Sequence, residues 1–326
     1  MRQSSSHGGQ MTSLESFDLT VPVPGPNLNQ LIIKEIKMDI PNLNAFVAVA
    51  DTGSFSEASE HLYLTQPAIS KRISALETEL DVQLFDRIGR KVTLTEAGTA
   101  LLARARNILQ QVEDSKRAIQ NLSGHVAGRL SIATSHHIGL HRLPPILRAF
   151  THAYPEVELD LHFMDSEEAC HAIEHGDLEL GIVTLPLTPA KVLHTHEVWP
   201  DPLDIVVNQS HPLTSLKNIT PKQLAKYSAI LPTRGTYTRQ IFEHTMRKHK
   251  LELKVGLSTN YLETIKMMVS VGLGWSVLPR SMLNKELKTL CIADIKLERK
   301  LGMVWHSGHT LSNAATAMSK MLVSVK

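Results

Sequence analysis

The chain has 326 residues, a formal net charge of +2 and two cysteines, Cys170 and Cys291. This length allows two or three domains with sizeable cores, and the near-neutral balance of charge points to no particular partner. Two cysteines are too few for a framework of disulfides, which favours a reducing compartment such as the cytoplasm. No run of about 18 apolar residues occurs, so we expect no membrane-spanning helix.

Residues 1–37 have the composition of an unfolded leader. They are polar, contain the stretches RQSSSHGGQ and VPVPGPN, and lack the apolar run of a secretory signal. We expect a disordered tail, or a leader from an upstream start, with the folded chain beginning near Met38. A functional tail is the alternative.

Three short amphipathic helices are predicted next. The first ends at Gly53, and the second begins with Ser54 and Glu57, which have the spacing of a capping box. A tight turn then leads to the third, Gln66–Leu80, where Pro67 occupies the first turn without loss of a helical hydrogen bond. This succession predicts a helix-turn-helix with Gln66–Leu80 as the recognition helix.

The outward face of this third helix is unusual for a solvated surface. Opposite the apolar stripe lie Pro67, Ser70, Lys71, Ser74 and Thr78, with Gln66 and Arg72 at the edges. These side chains are mostly short, uncharged at the centre of the face and basic near its N-terminal half, whereas an ordinary solvated face carries long mixed charges. The face therefore predicts close approach to a polyanion, although many three-helix units do nothing but pack a core.

Two β-like runs, 82–85 and 91–95, follow the third helix and enclose a basic turn. They complete a winged helix-turn-helix over residues 38–95. The basic patch consists of Lys71, Arg72, Arg87, Arg90 and Lys91. Acidic residues slightly outnumber basic ones between residues 38 and 125, so DNA binding would depend on this local patch and not on the charge of the whole domain.

Residues 96–124 are predicted to form one long linker helix. Its apolar residues recur at alternating steps of four and three, at Leu101, Ala105, Ile108, Val112, Ile119 and Leu122, with Ser115 in the remaining position. At 1.5 Å per residue the helix would be roughly 43 Å long. So narrow a stripe predicts pairing with a second copy of the chain, and the alternative is a helix that packs on its own domain.

Residues 125–326 alternate between strands and helices, which predicts an α/β domain with parallel sheets covered by helices. The pattern recurs after Pro186. We therefore expect two lobes joined by crossings near Pro186 and Pro279, with lobe I at about 128–186 and 281–326 and lobe II at about 187–280.

Ligands of such sheets bind beyond the carboxyl ends of strands, where helix N-termini offer free N–H groups. The candidate effector-binding residues at these positions are Ser135, His136, His137, Thr184, Arg234, Gly235 and Thr236. Hydroxyl groups can donate hydrogen bonds and Arg234 can pair with a carboxylate, so a small anionic metabolite is the expected ligand. The alternative is that these residues only form turns and helix caps.

The stretch HHIGLH raises the possibility of a metal site. Yet His136, His137 and His141 lack the spacing of a helical metal pair, and no cysteine is near. We expect no metal and no resident cofactor. Compared with a metal site, the stretch fits better a histidine that senses the charge of the effector.

The stretch from Phe46 to Gly98 resembles the DNA-binding domain of LysR-type transcriptional regulators. The elements GSFSEASEHL, TQPAIS, LE.EL...LFDR and LTEAG occur in that family's order and spacing, and a weaker resemblance continues to near the end of the chain. It implies that residues matching Gln66, Pro67, Ser70 and Lys71 approach bases or phosphates, and that those matching Arg87 and Arg90 reach DNA from the wing. Lys71 stands where arginine is more usual, so a bidentate contact to guanine is not implied there.

The same resemblance implies an effector domain akin to periplasmic binding proteins, and dimers that pair into tetramers. We therefore predict a cytoplasmic, sequence-specific regulator that binds double-stranded DNA, is not an enzyme, and is switched by an unidentified small anionic effector between its lobes. One alternative is a solute-binding protein with no DNA role. Another is a hydrolase that uses Ser135, although the chain has no Gly-x-Ser-x-Gly elbow.

Overall fold

The computed structural model describes residues 38–88, 91–249, 253–292 and 295–324. The expectation for residues 1–37 and the tip of the predicted wing, Gly89 and Arg90, lie outside the described residues. Within these ranges, no helix combines the length and the apolar composition needed to cross a bilayer.

The N-terminal part contains three helices, α1 (Ile40–Thr52), α2 (Phe55–His61) and α3 (Gln66–Leu80). Gly53 ends α1 with a φ of 63°, in the left-handed region that glycine adopts without strain. Thr65 caps α3 by accepting the N–H of Ala68. The predicted apolar stripes meet in one core, which includes Leu43, Phe46, Val49, Ile69, Ile73 and Leu76.

The wing and the linker follow directly. Strand β1 (Phe85–Ile88) pairs antiparallel with β2 (Lys91–Leu94), and α4 (Glu96–Asn121) begins after the capping residue Thr95. Gly98 lies against the wing in the first turn of α4, where an added Cβ atom would stand 2.1 Å from the carbonyl oxygen of Leu84. Only glycine therefore allows the helix to start this close to the wing.

The C-terminal part is built from nine strands and seven α-helices among the described residues. The strands are β3 (Gly128–Thr134), β4 (Val157–Phe163), β5 (Leu180–Thr184), β6 (Leu193–Asn208), β7 (Ala229–Leu231), β8 (Val255–Ser258), β9 (Ser276–Pro279), β10 (Leu287–Leu290) and β11 (Leu297–His306). The helices are α5 (His136–His141), α6 (Leu143–Ala153), α7 (Ser166–Glu174), α8 (Pro221–Leu224), α9 (Tyr237–Met246), α10 (Leu262–Ser270) and α11 (Asn313–Ser324).

These elements form two lobes with separate cores. Lobe I contains β3, β4 and β5, which run parallel, and the helices α5, α6, α7 and α11. Lobe II contains β7 to β10 and the helices α8 to α10, with Trp275 and Phe242 in its core. The α/β expectation is confirmed, but the sheet is mixed, because β6 pairs antiparallel with β9, β10 and β11.

The chain crosses between the lobes inside two long strands. Strands β6 and β11 pair with each other from Leu203 and Leu297 at one end to Leu193 and His306 at the other. Trp199, Leu301 and Met303 lie in the core of lobe I, whereas Leu203 and Leu297 lie in the core of lobe II.

This position of the crossings corrects the sequence-based lobe boundaries. The sequence placed the crossings near Pro186 and Pro279, where proline marks the end of a strand. In the structure, residues 187–199 continue lobe I, and residues 281–292 and 295–297 continue lobe II, because the strands themselves carry the chain across.

Candidate DNA-binding surface and effector cleft

The outward face of α3 is the surface that the sequence singled out. Gln66, Pro67 and Lys71 are exposed on it, and Ser70 is half-buried beside them. Arg72 lies at the edge, where its Nη1 atom is 3.5 Å from the carbonyl oxygen of Pro41. The face thus offers mostly short side chains with Lys71 as its exposed cation, and Arg72 can also hold α3 against the start of α1.

Tyr63 is a residue of this surface that the sequence analysis missed. It lies in the turn between α2 and α3, is 96% exposed and has a φ of 53°, which is uncommon for an aromatic residue. An exposed phenol beside the N-terminus of the recognition helix can donate a hydrogen bond to a phosphate. The available signal was a large aromatic residue in a turn, outside every apolar stripe.

The wing is a hairpin as predicted, but its first strand is Phe85–Ile88 and not 82–85, so Arg87 lies in this strand and not in the turn. Arg87 lies opposite Val92 in the register of the two strands, and Lys91 is the first residue of β2. Arg90 falls in the turn outside the described residues. The backbone therefore brings Arg87 and Lys91 to the same hairpin next to α3.

The apolar stripe of α4 divides into two parts. Ala105 is buried in the core of the N-terminal domain, with Leu101 packed beside it. Farther along, Ile119 is 70% and Leu122 85% exposed, and Ile108 is partly exposed. The start of the helix thus packs on its own chain, as the alternative interpretation held, and its end leaves apolar side chains uncovered.

Another side of α4 contacts lobe I through polar side chains. Gln110 and Asp114 are buried and hydrogen-bonded to each other, and the side chain of Gln110 lies against Gly176 after α7. At the end of the helix, the amide of Asn121 donates to the carbonyl oxygen of Leu311 at 2.8 Å. The linker is therefore tied directly to lobe I.

A polar cleft lies between the lobes. It is lined from lobe I by α5, α7 and the end of β5, and from lobe II by the loops before α9 and α10. The lining residues are Ser135, His136, His137, Asp165, Ser166, Glu167, Thr184, Pro232, Thr236, Thr238, Asn260, Leu262 and Arg299. The cavity volume is about 50 Å³, which has room for one or two water molecules.

Direct contacts between the lobes close this cleft. The carboxylate of Glu167 accepts a hydrogen bond from the backbone N–H of Tyr237, and that of Asp165 accepts one from the side-chain amide of Asn260. Burial raises the pKa of the Glu167 carboxyl above its ordinary value. The two carboxylates of lobe I thus occupy donors of lobe II that a ligand could use.

Arg299 is the cation of the cleft, and the sequence analysis missed it. It is buried on β11, where its Nε atom lies 2.6 Å from Asp201 and its Nη1 atom 3.0 Å from the hydroxyl of Thr238. Among the described residues its Nη2 atom has no hydrogen-bond partner. The available signal was an arginine on the buried side of a strand, between Leu297 and Leu301.

His137 is buried at the same site and carries no charge at neutral pH. Burial, followed by the positive charges of Arg299 and His141, lowers its pKa to about 3. Neither ring nitrogen has a partner in the part of the chain that the structure describes. The imidazole therefore offers one donor and one acceptor, and a ligand can select either tautomer.

The structure brings together Ser135, His136, His137, Thr184 and Thr236 along the cleft. Thr236 also caps α9, because its hydroxyl accepts the N–H of Arg239 and donates to the carbonyl oxygen of Thr233. The cap interpretation therefore holds for Thr236, and its hydroxyl proton is already used within the loop.

Two predicted residues lie elsewhere. Arg234 and Gly235 are exposed on the loop before α9 and are not among the described residues that line the cleft. Gly235 has a φ of 99°, so it turns the chain sharply and carries Arg234 toward solvent. Among the described residues, Arg299 and not Arg234 is the arginine that lines the cleft.

Both domains of the chain match models of one family. Residues 40–99 match the bacterial regulatory helix-turn-helix of the LysR family, and residues 123–325 match the LysR substrate binding domain. The chain belongs to the LysR family. It is a DNA-binding transcriptional regulator with an effector-binding domain, and its family and relatives are regulators and not enzymes.

Individual relatives agree with this membership of the LysR family. A probable RuBisCO transcriptional regulator of Synechocystis is 30% identical over 296 residues, which are 87% of this chain and 86% of that protein. A transcriptional regulator from the ibpB-leuC intergenic region of Azotobacter vinelandii is 69% identical over 108 residues, or 33% of this chain and 75% of the relative.

Solved structures of LysR proteins share the fold. Full-length OxyR from Pseudomonas aeruginosa superposes with a TM-score of 0.64 at 22% identity, over 89% of this chain and 99% of that one. The alternative of a solute-binding protein without a DNA role is not supported, because the helix-turn-helix is part of the family match.

Proposed function

We propose that this LysR-family regulator acts in the cytoplasm as a dimer, or a pair of dimers, on operator DNA. Its effector is a small anionic metabolite bound between the lobes, and neither a metal nor a resident cofactor takes part. Gln66, Pro67, Ser70 and Lys71 contact bases or phosphates from α3, while Arg72, Arg87, Arg90 and Lys91 add positive charge around them. Two copies of α3 would read two half-sites about one helical turn of DNA apart.

The observation that carries the effector proposal is the unsatisfied cation of the cleft. Arg299 is buried, lines the cavity and has an Nη2 atom without a partner among the described residues. A buried donor left unpaired costs free energy, and a ligand oxygen would satisfy it. Nearby hydroxyl groups of Ser135 and Thr184 can add hydrogen bonds to the same ligand.

The DNA part of the proposal is tested by salt dependence. Operator sequences are selected from a random pool with the full-length chain, and the affinity of the best one is measured at several salt concentrations. Lys71→Ala should weaken binding and reduce the slope of log affinity against log salt by about 1, because one phosphate contact is lost. The matched control is Lys217→Ala, which removes an exposed lysine of lobe II. An unchanged slope for Lys71→Ala would remove Lys71 from the phosphate contacts.

The effector part is tested with Arg299→Lys in the full-length chain. A panel of small carboxylates and phosphates is screened by thermal shift, since a ligand of the folded state raises the melting temperature. For any anion that binds, Arg299→Lys should reduce affinity by about 10- to 150-fold, the equivalent of one charged hydrogen bond. Lysine keeps the positive charge, but it lacks the planar guanidinium group, whose N–H groups can donate to Asp201, Thr238 and the ligand at once.

The control is Arg280→Lys, because Arg280 also pairs with a carboxylate, Asp204, but is exposed on lobe II. It should leave anion binding unchanged. Equal responses of the two variants would show that the anion does not bind at Arg299.

A further inference from the structure

A second cavity adjoins the polar cleft. Its volume is about 350 Å³, and its wall is mainly apolar, although His137, Glu263 and Thr264 also line it. The walls come from α5 and the end of β4 in lobe I and from the start of α10 in lobe II, with His136, Gly139, Leu140, Phe163, Tyr261 and Leu262 as the main residues. We call this cavity the annexe.

The annexe shares part of its wall with the polar cleft. His136, His137 and Leu262 line both cavities. His137 therefore borders both cavities, whereas Arg299 lines the polar cleft only. A molecule that occupied both cavities would touch both lobes.

The walls of the annexe are flat and aromatic. The ring of His136 stacks on Phe163 at a centroid distance of 5.6 Å and an interplanar angle of 26°, and it lies 5.0 Å from the ring of Tyr261. Phe163 packs directly on α5, where a Cβ atom added at Gly139 would stand 2.3 Å from the ring. The glycine therefore sets how close the Phe163 ring lies to the helix.

Three apolar side chains of the annexe are about half exposed to solvent. Phe163, Tyr261 and Leu140 are 50–60% exposed, whereas His137, Thr184 and Arg299 in the adjoining polar cleft are buried. Apolar surface that adjoins a polar pocket is typical of ligand sites, in which a few polar groups orient a mainly apolar molecule. The annexe is large enough for an aromatic ring, because a cavity of about 150 Å³ already holds benzene.

We propose that the effector is an amphipathic acid with an aromatic ring. Its anionic group reaches Arg299 and His137 in the polar cleft, and its ring lies in the annexe against Phe163 and Tyr261. The anionic end of this assignment rests on the function proposed above, whereas the ring end rests on the annexe itself. Contact with residues of both lobes makes such a molecule bind the closed arrangement better than an open one, which is the condition for a ligand to shift the population.

The test uses acids that share one head group. Binding of acetate, cyclohexylacetate, phenylacetate and indole-3-acetate to the full-length chain is measured by calorimetry. Burying one ring should make phenylacetate bind about 100-fold more tightly than acetate. Tighter binding of phenylacetate than of cyclohexylacetate supports an aromatic ligand, since ring pairs add to simple burial.

Substitutions in the annexe test whether the additional affinity for phenylacetate arises there. Phe163→Ala and Tyr261→Ala should each reduce phenylacetate affinity by at least 10-fold and leave acetate unaffected. Both side chains are half-exposed, so neither substitution should prevent folding. Leu187→Ala is the matched control, because Leu187 is an exposed apolar residue of lobe I outside both cavities. It should behave like the wild type.

The outcomes separate the two proposals. Equal affinity for acetate and phenylacetate, or a phenylacetate affinity unchanged by both annexe variants, would overturn the aromatic assignment. Binding of none of the ring-bearing acids would overturn it as well. If in that case other anions still bind in a manner that depends on Arg299, the function proposed above stands without the annexe.

Discussion

The imidazole of His137 resists protonation because it is buried and because the positive charge of Arg299 lies near it. Its pKa is lowered to about 3, whereas the same group in the unfolded chain titrates near 6.5. Below pH 6.5 the unfolded state therefore takes up a proton that the folded state refuses. Acid consequently favours unfolding over the range between these two pKa values.

Replacing His137 by glutamine should remove this acid sensitivity. The melting temperature of the wild type relative to His137→Gln should fall as the pH is lowered from 7 to 5. The free-energy difference should change by up to about 1.4 kcal/mol per pH unit. Calorimetric unfolding of both proteins at a series of pH values measures it. A difference that does not depend on pH would contradict the neutral, buried state of His137.

At the level of single residues, the sequence predicted several side chains that line the cleft but missed its cation, Arg299. Thr184 ends β5, and Ser135, His136 and His137 follow β3. The rule for α/β sheets places ligands at such strand ends, and these residues do line the cleft. Arg299 belongs to a strand that returns to the site late in the chain, and no local pattern tells which residues that strand will meet. Arg234 was misplaced because the loop direction depends on Gly235.

The linker helix α4 packs on its own DNA-binding domain at its start and exposes apolar side chains at its end. Its first turns complete the core of the DNA-binding domain, and its last turns expose Ile119 and Leu122. Apolar residues at heptad spacing are costly in water and favour pairing with a second helix. In a two-fold dimer each of these residues occurs twice at the interface.

The double substitution Ile119→Glu and Leu122→Glu should therefore separate the subunits. Four acidic groups would face one another in the dimer, and their charges could not be compensated. Sedimentation at micromolar concentration should show a smaller species than the wild type. Gln120→Glu is the control, because it adds one exposed charge about 100° away around the helix. Oligomers of unchanged size in the double variant would exclude this stripe from the interface.

Some helix boundaries were predictable from caps, but the longest strand was not. Gly53 ends α1 and Ser54 caps α2, as the sequence indicated. Strand β6, in contrast, runs through Pro200 and Pro202, residues that interrupt most strands because they cannot donate to the ladder. It continues because β11 pairs along it past both prolines, and only the tertiary structure shows that pairing.

At the scale of the whole molecule, closure of the two lobes buries the Glu167 carboxylate, and this burial lowers the stability of the folded protein when the group is ionised. The Glu167 carboxylate reaches across the cleft to the N–H of Tyr237, and burial raises its pKa above the ordinary value of 4.5. A carboxyl with a raised pKa ionises less readily in the folded protein than in the unfolded one. Its ionisation therefore costs no stability well below pH 4.5, and the cost grows as the pH rises through the raised pKa.

Glu167→Gln should consequently stabilise the protein more at pH 8 than at pH 5. Glutamine keeps an oxygen that accepts the N–H of Tyr237 but cannot ionise. Thermal unfolding of the full chain at both pH values measures the gain. Glu158→Gln, an exposed change of the same charge on lobe I, controls for net charge. A gain that is equal at the two pH values, or absent at both, would speak against a buried carboxylate in the closed cleft.

The path of β11 also has a consequence for biosynthesis. This strand lies between β5 and β6 in the sheet, and together with α11 it supplies Leu301, Met303, Met318 and Leu322 to the core of lobe I. A nascent chain that has emerged only as far as residue 296 has all of β3, β4 and β5 but a gap between β5 and β6. Lobe I therefore cannot be completed on the ribosome until lobe II has already been synthesised. During translation the effector site is assembled last, after the DNA-binding domain has had most of the synthesis time in which to fold.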